Sequence, residues 1–247
     1  MRDGMRAMSV MNVSTHGVER HHHHRRCAVV ARATFLFATG NAGKLARARE
    51  HVGDDCDVES FHDDAAFELQ LPTVREVALD KARRAHAAWR RRVELDGDDG
   101  RISACEGVLA HDCGFVVKAL RGFPGPYTKD FNHKVGGGGL LKLLVGDGVD
   151  RAASWDETLV CITWDGDELV FSREDAYDGE VAREPPAKWT RWRDVPERSV
   201  GAVFVPTGFG FRECLADVSE EDYQRFRRES DSVWNDFATR VRDGPLG

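Results

Sequence analysis

No stretch of this 247-residue chain approaches the roughly 18 uninterrupted apolar residues a membrane-crossing helix needs, and no charged-then-apolar opening segment resembles a secretion signal. The sequence therefore predicts a soluble, cytoplasmic protein without a membrane partner. An excess of positive charge is missing too: 35 Lys and Arg face 42 Asp and Glu, a formal net charge of -7. That balance argues against a nucleic-acid polymer as partner, because such interfaces are strongly basic. The six cysteines (Cys27, Cys56, Cys105, Cys113, Cys161, Cys214) form no CxxC pair and no Cys/His set at zinc spacing. Neither a structural zinc site nor a disulfide scaffold is indicated. Internal repeats are lacking as well.

What is present suits one large domain: 41% of the residues are hydrophobic and 31% charged. The opening segment stands apart. It holds Met, Arg, small residues and the run His21-His22-His23-His24 without apolar periodicity, so residues 1–33 are expected to form a disordered extension and residues 34–247 the domain.

Within that domain, Thr34-Phe35-Leu36-Phe37-Ala38 is a short apolar strand closed by Thr39-Gly40-Asn41-Ala42-Gly43 and followed by a helix-compatible segment from Lys44. A second strand is predicted over Asp57 to Phe61. After Pro72, Thr73-x-x-Glu76 fits a capping box at the head of a long helix. Residues 107–110 and 115–117 are expected to be strands flanking His111-Asp112-Cys113-Gly114. The glycines at 136–139 predict a flexible joint before a helix over 140–145. Two strands flanking Asp165-Gly166 make a hairpin, 202–205 is a further strand, and one helix is predicted from about 219 to 241. This order is mixed α/β with an antiparallel portion, which implies a twisted mixed sheet.

The chemistry concentrates in the first half. In Thr39-Gly40-Asn41-Ala42-Gly43-Lys44 the glycines let backbone N–H groups approach an anion, the following helix presents its positive end, and Lys44 adds a full charge. It is not a Walker A loop, since Leu45 stands where a Mg²⁺-holding Ser or Thr would be. An ordinary strand-to-helix turn is the alternative for the loop alone. Asp112, before a glycine at a strand end, and Glu68, among apolar neighbours, could hold Mg²⁺ or activate water; a turn cap and a surface acid are the plainer alternatives. Lys81, among alanines, is either a surface cation or a second phosphate ligand.

Taken in order, these segments resemble the non-canonical purine nucleoside triphosphate pyrophosphatases, the inosine triphosphate pyrophosphatase family. The likeness rests on Phe37-Ala38-Thr39-Gly40-Asn41-Ala42-Gly43-Lys44-Leu45, Glu68-Leu69-Gln70, Lys81-Ala82, and the stretch from His111-Asp112-Cys113-Gly114-Phe115 to Gly122-Phe123-Pro124-Gly125-Pro126-Tyr127. The resemblance implies an elongated twisted mixed sheet flanked by helices, two lobes with a central cleft, and a homodimer. It also implies hydrolysis of non-canonical purine triphosphates to the monophosphate and pyrophosphate with Mg²⁺. By position, Thr39, Gly40, Asn41, Lys44, Lys81 and Gly114 would bind the nucleoside triphosphate, Glu68 and Asp112 the metal, and Asp112 would help activate water.

The chain departs from that pattern at three places. His111 replaces the family's usual acid, and an imidazole suits Mn²⁺ or Zn²⁺ better than Mg²⁺. The family's base-binding segment falls on residues 198–202 without its aromatic and acid, and its Ser-His-Arg signature falls on Ser230-Asp231-Ser232. A catalytically weak nucleotide-binding paralogue, or a pyrophosphatase for another modified nucleotide, is therefore a competing expectation.

Overall fold

Strand β1 (Thr34–Ala38) alternates nothing: its middle three residues are all buried, as in a strand covered on both faces. A computed structural model describes residues 32–62, 69–95, 100–187, 199–230, 232–244 and 246. After β1 come α1 (Ala42–Val52), β2 (Asp57–Phe61), α2 (Val74–Leu95) and β3 (Gly107–Val117). The short β4 (Pro124–Gly125) leads into α3 (Thr128–Lys134) and α4 (Gly136–Leu143), then the long pair β5 (Ala152–Thr163) and β6 (Glu168–Val181). β7 (Phe204–Pro206), α5 (Glu220–Glu229) and α6 (Val233–Arg242) follow. The sheet order is β2-β1-β3-β5-β6-β7, with β4 on β3; β1 pairs in parallel with both β2 and β3, and the other pairings are antiparallel. This is the expected mixed sheet.

Alternation along the strands sorts the core onto two faces. Phe35, Phe37, Leu109, Leu159 and Cys161 point to α1 and α6, where Phe237 meets Phe35 edge-on at 5.1 Å and Trp234 meets Phe37 at 5.2 Å. Leu36, Val108, Ala110, Val160 and Ile162 point to α2. That helix lays Ala78, Ala82, Ala85 and Ala88 on the sheet at helical spacing, so its backbone approaches closely, and Trp89 closes the far end by donating to the Ile102 carbonyl at 2.9 Å. A third cluster gathers Phe115, Val117, Leu140, Ala153, Val203 and Phe204 around the distal halves of β3 and β5.

The capping box forms as predicted. Thr73 Oγ1 accepts from the Glu76 N–H at 3.1 Å, and Glu76 Oε2 accepts from the Thr73 N–H at 3.1 Å. Thr73→Ala should lower unfolding stability by about 1 kcal/mol, read as a drop in urea midpoint at unchanged slope, because it strands the capped donors.

Four local expectations are corrected. His111 to Gly114 do not separate two strands; they continue β3 because β5 pairs with it along its whole length. The glycine run is not a joint but the first half of α4: a Cβ on Gly137 would lie 2.6 Å from the Ser199 carbonyl oxygen, so glycine lets α4 pack against that segment. Residues 200–203 form a buried 3-10 turn ahead of the three-residue β7. The C-terminal helix is broken, since Ser232 leaves the helical conformation and caps α6 by accepting from the Trp234 N–H.

Candidate functional site

β1 feeds β2 through α1, and β2 feeds β3 through α2 on the opposite face, so the chain reverses its winding at β1. Ligands of open α/β sheets collect outside the carboxyl ends of the strands at such a point. Here that end has a further feature. β1 accompanies β3 only as far as Leu109, and β4 takes up the same edge from Phe115. The β3 edge from Ala110 to Gly114 faces the loop that follows β1.

That loop is the predicted phosphate loop. Thr39 is buried, its Oγ1 accepts from the Asn41 N–H at 3.1 Å, and the Thr39 carbonyl accepts from Ser60 Oγ at 3.2 Å. Asn41 caps α1: its Oδ1 accepts from the Gly43 N–H at 2.9 Å and the Lys44 N–H at 3.2 Å. Two of the helix's N-terminal donors are thus occupied by Asn41 itself, and Lys44 adds a full positive charge in the same turn. Gly40, exposed, lies beside His62. The Lys44 side chain reaches into the open edge of β3, where Nζ stands 3.7 Å from Asp112 Oδ1 and 3.4 Å from the His111 carbonyl oxygen.

Asp112 follows Ala110 in the strand's alternation and so faces α2, which carries the half-buried Lys81 one turn beyond Val77 and Ala78. Thr39, Gly40, Asn41, Lys44 and Asp112 are therefore gathered at one strand end, with Lys81 on the helix that covers it. At Gly114 the packing is tight. A Cβ there would fall 2.5 Å from the Gly125 carbonyl oxygen and 2.8 Å from a Val74 methyl carbon, so its lack of a side chain serves packing. Glu68 lies outside the described residues.

His111 points the other way from Asp112, toward Glu157. Its Nε2 meets Glu157 Oε1 at 3.2 Å and its ring lies 5.6 Å from that of Trp234. Because a carboxylate only accepts, Nε2 carries the proton. Burial pushes the imidazole well below its ordinary value, so it is neutral at pH 7.

Glu157 is the residue that sequence reasoning missed. It is 1% exposed, and both oxygens are engaged. Oε1 also pairs with Arg47 at 3.6 Å; Oε2 accepts from Ser232 Oγ at 2.9 Å, Tyr177 Oη at 3.3 Å and the Val233 N–H at 3.4 Å. Burial works against its ionisation, but the His111 hydrogen bond, the Arg47 charge and the Ser232 hydroxyl outweigh it and hold the carboxyl below the usual range. The available sequence signal was an acid at the same parity as Leu159 and Cys161, the core-facing side of β5.

Among the described residues, no group of three or more His, Cys, Asp or Glu side chains forms a ready-made metal cage. Mg²⁺ needs none: it is commonly held by one or two carboxylates plus the phosphates of its substrate. Asp112, a hard oxygen donor beside a phosphate loop, fits an ion that arrives with a nucleotide. Among the described residues, no helix is long and apolar enough to cross a membrane.

Comparisons with known proteins identify relatives of this chain. The model of the Ham1 family matches residues 35–221. A dITP/XTP pyrophosphatase of Thermococcus kodakarensis is 27% identical over 84% of this chain and 96% of its own length. An inosine triphosphate pyrophosphatase of Yarrowia lipolytica is 30% identical over 75% of this chain and 84% of its own. In three dimensions, a HAM1 protein from Coxiella burnetii superposes with a TM-score of 0.61 at 19% identity, covering 86% of this chain and 100% of that one. With a family match that runs from β1 into α5 and includes the Lys44 loop and Asp112, the chain belongs to the Ham1 family.

Proposed function

We propose that this protein is a metal-dependent nucleoside triphosphate pyrophosphatase that cleaves non-canonical purine triphosphates to the monophosphate and pyrophosphate. The observation that carries the reading is the Lys44–Asp112 pair, 3.7 Å apart at the carboxyl end of β1. It sets a phosphate-binding cation beside a carboxylate that can take a proton. The activities named for the relatives point the same way.

In this reading Lys44 and the loop seat the triphosphate, with Lys81 as a further cation. Asp112 accepts a proton from water as the water oxygen bonds to the α-phosphorus; the bond to the α,β-bridging oxygen breaks and pyrophosphate leaves with that electron pair. Mg²⁺, or Mn²⁺ in its place, would be held by Asp112 and the phosphates and would offset charge on the phosphoryl oxygens. Lys44 contributes to the same charge balance from the protein side. Glu68 as a second metal ligand, a homodimer and a cytoplasmic location go with this reading as expectations.

Base choice is a separate matter. At the two segments where the resemblance places base reading, Val200, Ala202 and Ser232 are 0% exposed and Ser230 4%, while Arg198 and Asp231 lie outside the described residues. Ser232 spends its hydroxyl on Glu157 and on the α6 cap, and Ser230 donates to the Phe226 carbonyl. A site without dedicated hydrogen-bonding partners for a base separates substrates by about 10- to 200-fold, against 10⁴ or more for one that has them. Inosine, xanthosine, adenosine and guanosine triphosphates with Mg²⁺, assayed for pyrophosphate against orthophosphate release, should all yield pyrophosphate, with kcat/KM values inside the smaller range. Orthophosphate as the product would refute the pyrophosphatase reading, and discrimination beyond 10⁴ would refute the relaxed base choice.

A further inference from the structure

We propose, on the pyrophosphatase reading above, that Glu157 is a positioning residue: its buried carboxylate fastens α1 and the N-terminus of α6 to β3, and so holds Lys44 at Asp112.

The connections run through the backbone on both sides. Arg47, paired with Glu157 Oε1, lies three residues after Lys44 on α1, nearly one helical turn. His111, bonded to the same oxygen, immediately precedes Asp112 on β3. One carboxylate oxygen therefore bridges the element that carries the cation to the element that carries the acid. Glu157 reaches His111 as a diagonal neighbour, since its own partner on β3 is Cys113. The other oxygen anchors the bridge. It sits at the N-terminus of α6, where backbone and Ser232 hydroxyl donate to it and the helix dipole favours a negative charge.

A register irregularity between Trp155 and Glu157 supplies the last contact. Across it the β6 partner changes from Tyr177 to Arg173, with Asp175 at a φ of 57°, a bulge of the kind that re-aims side chains near functional sites. Tyr177 donates to Glu157 Oε2 and itself accepts from Arg47, while Arg173 grips Asp236 of α6 at 2.9 Å. The break between α5 and α6 and the bulge in β6 thus converge on one acid. Glu157 faces α6 while Asp112 faces α2, so Glu157 acts through the strand and the helix and has no place among the reacting atoms.

The test uses Glu157→Gln, which keeps the shape and removes the charge, and Arg47→Met, which cuts only the α1 side of the bridge and is tolerable for folding because Arg47 is one-third exposed. Two readouts are taken on the full chain: kcat and KM for inosine triphosphate with Mg²⁺, and the NMR signal of Lys44 after ¹³C-methylation of the lysines. With only seven lysines, the Lys44 signal is assigned by its loss in Lys44→Arg. Because Lys44 both seats the triphosphate and meets Asp112, its misplacement should lower kcat/KM about tenfold or more with kcat itself reduced, and the Lys44 signal should shift in both variants. An unmoved Lys44 signal, or wild-type kcat beside a lowered melting temperature, would overturn the proposal and make Glu157 merely structural. A shifted signal in a protein that releases no pyrophosphate from any nucleotide would uphold the positioning of Lys44 and reject the hydrolytic reading instead.

Discussion

Asp112→Asn is expected to lose about 10²- to 10⁴-fold of turnover while remaining folded and still binding nucleoside triphosphate, since that is the usual worth of a positioned general base. The side chain is 11% exposed and one oxygen stands 3.7 Å from the Lys44 ammonium. An amide of the same shape retains an oxygen that can face Lys44, so packing survives, but it cannot take a proton from water and is a poor ligand for a hard cation. Folding cost is limited because Lys44, 29% exposed, keeps access to solvent when its partner loses charge. The measurement is pyrophosphate release at saturating substrate, with near-ultraviolet circular dichroism to verify packing. Turnover within about threefold of wild type would be far below the general-base range and would remove Asp112 from the chemistry.

Lys44→Ala should act on binding. Hydrogen bonds to charged groups contribute about 1.5–3 kcal/mol, so triphosphate affinity should fall about 10- to 150-fold. The loop cannot make up the loss, because Asn41 Oδ1 already holds the Gly43 and Lys44 N–H groups that would otherwise face the phosphates. Calorimetry with a non-hydrolysable triphosphate reads the effect without turnover. Unchanged affinity in a folded variant would refute the phosphate-loop assignment.

The part of this site that is continuous in sequence was legible there. Thr39 to Lys44 runs from the end of a strand into the first turn of a helix, and Thr73 with Glu76 forms the capping box its spacing announces. The rest depends on contacts between distant segments. Nothing local to 111–114 says that β5 will carry β3 straight through, and nothing local to 136–139 says that a carbonyl 62 residues after Gly137 will press on it. Propensity alone favours one long helix at the C-terminus; the break at Ser232 is stabilised by a buried acid 75 residues earlier. His111 shows the same limit. By residue type it is a softer metal ligand beside Asp112, but alternation turns it to the opposite face and onto Glu157. Restoring the family's acid at 111 would set two buried carboxylates against each other, which is unfavourable unless one takes up a proton. The imidazole is therefore matched to Glu157.

The most direct test follows the oxygen. Inosine triphosphate is hydrolysed with Mg²⁺ in ¹⁸O-enriched water, and the products are resolved by ³¹P NMR for the wild type and for Asp112→Asn. If water attacks the α-phosphorus at the Lys44–Asp112 pair, the wild type yields inosine monophosphate carrying the label and unlabelled pyrophosphate in equal amounts, and the variant yields almost none of either. Label in orthophosphate or in pyrophosphate, or equal product from both proteins, would contradict that account.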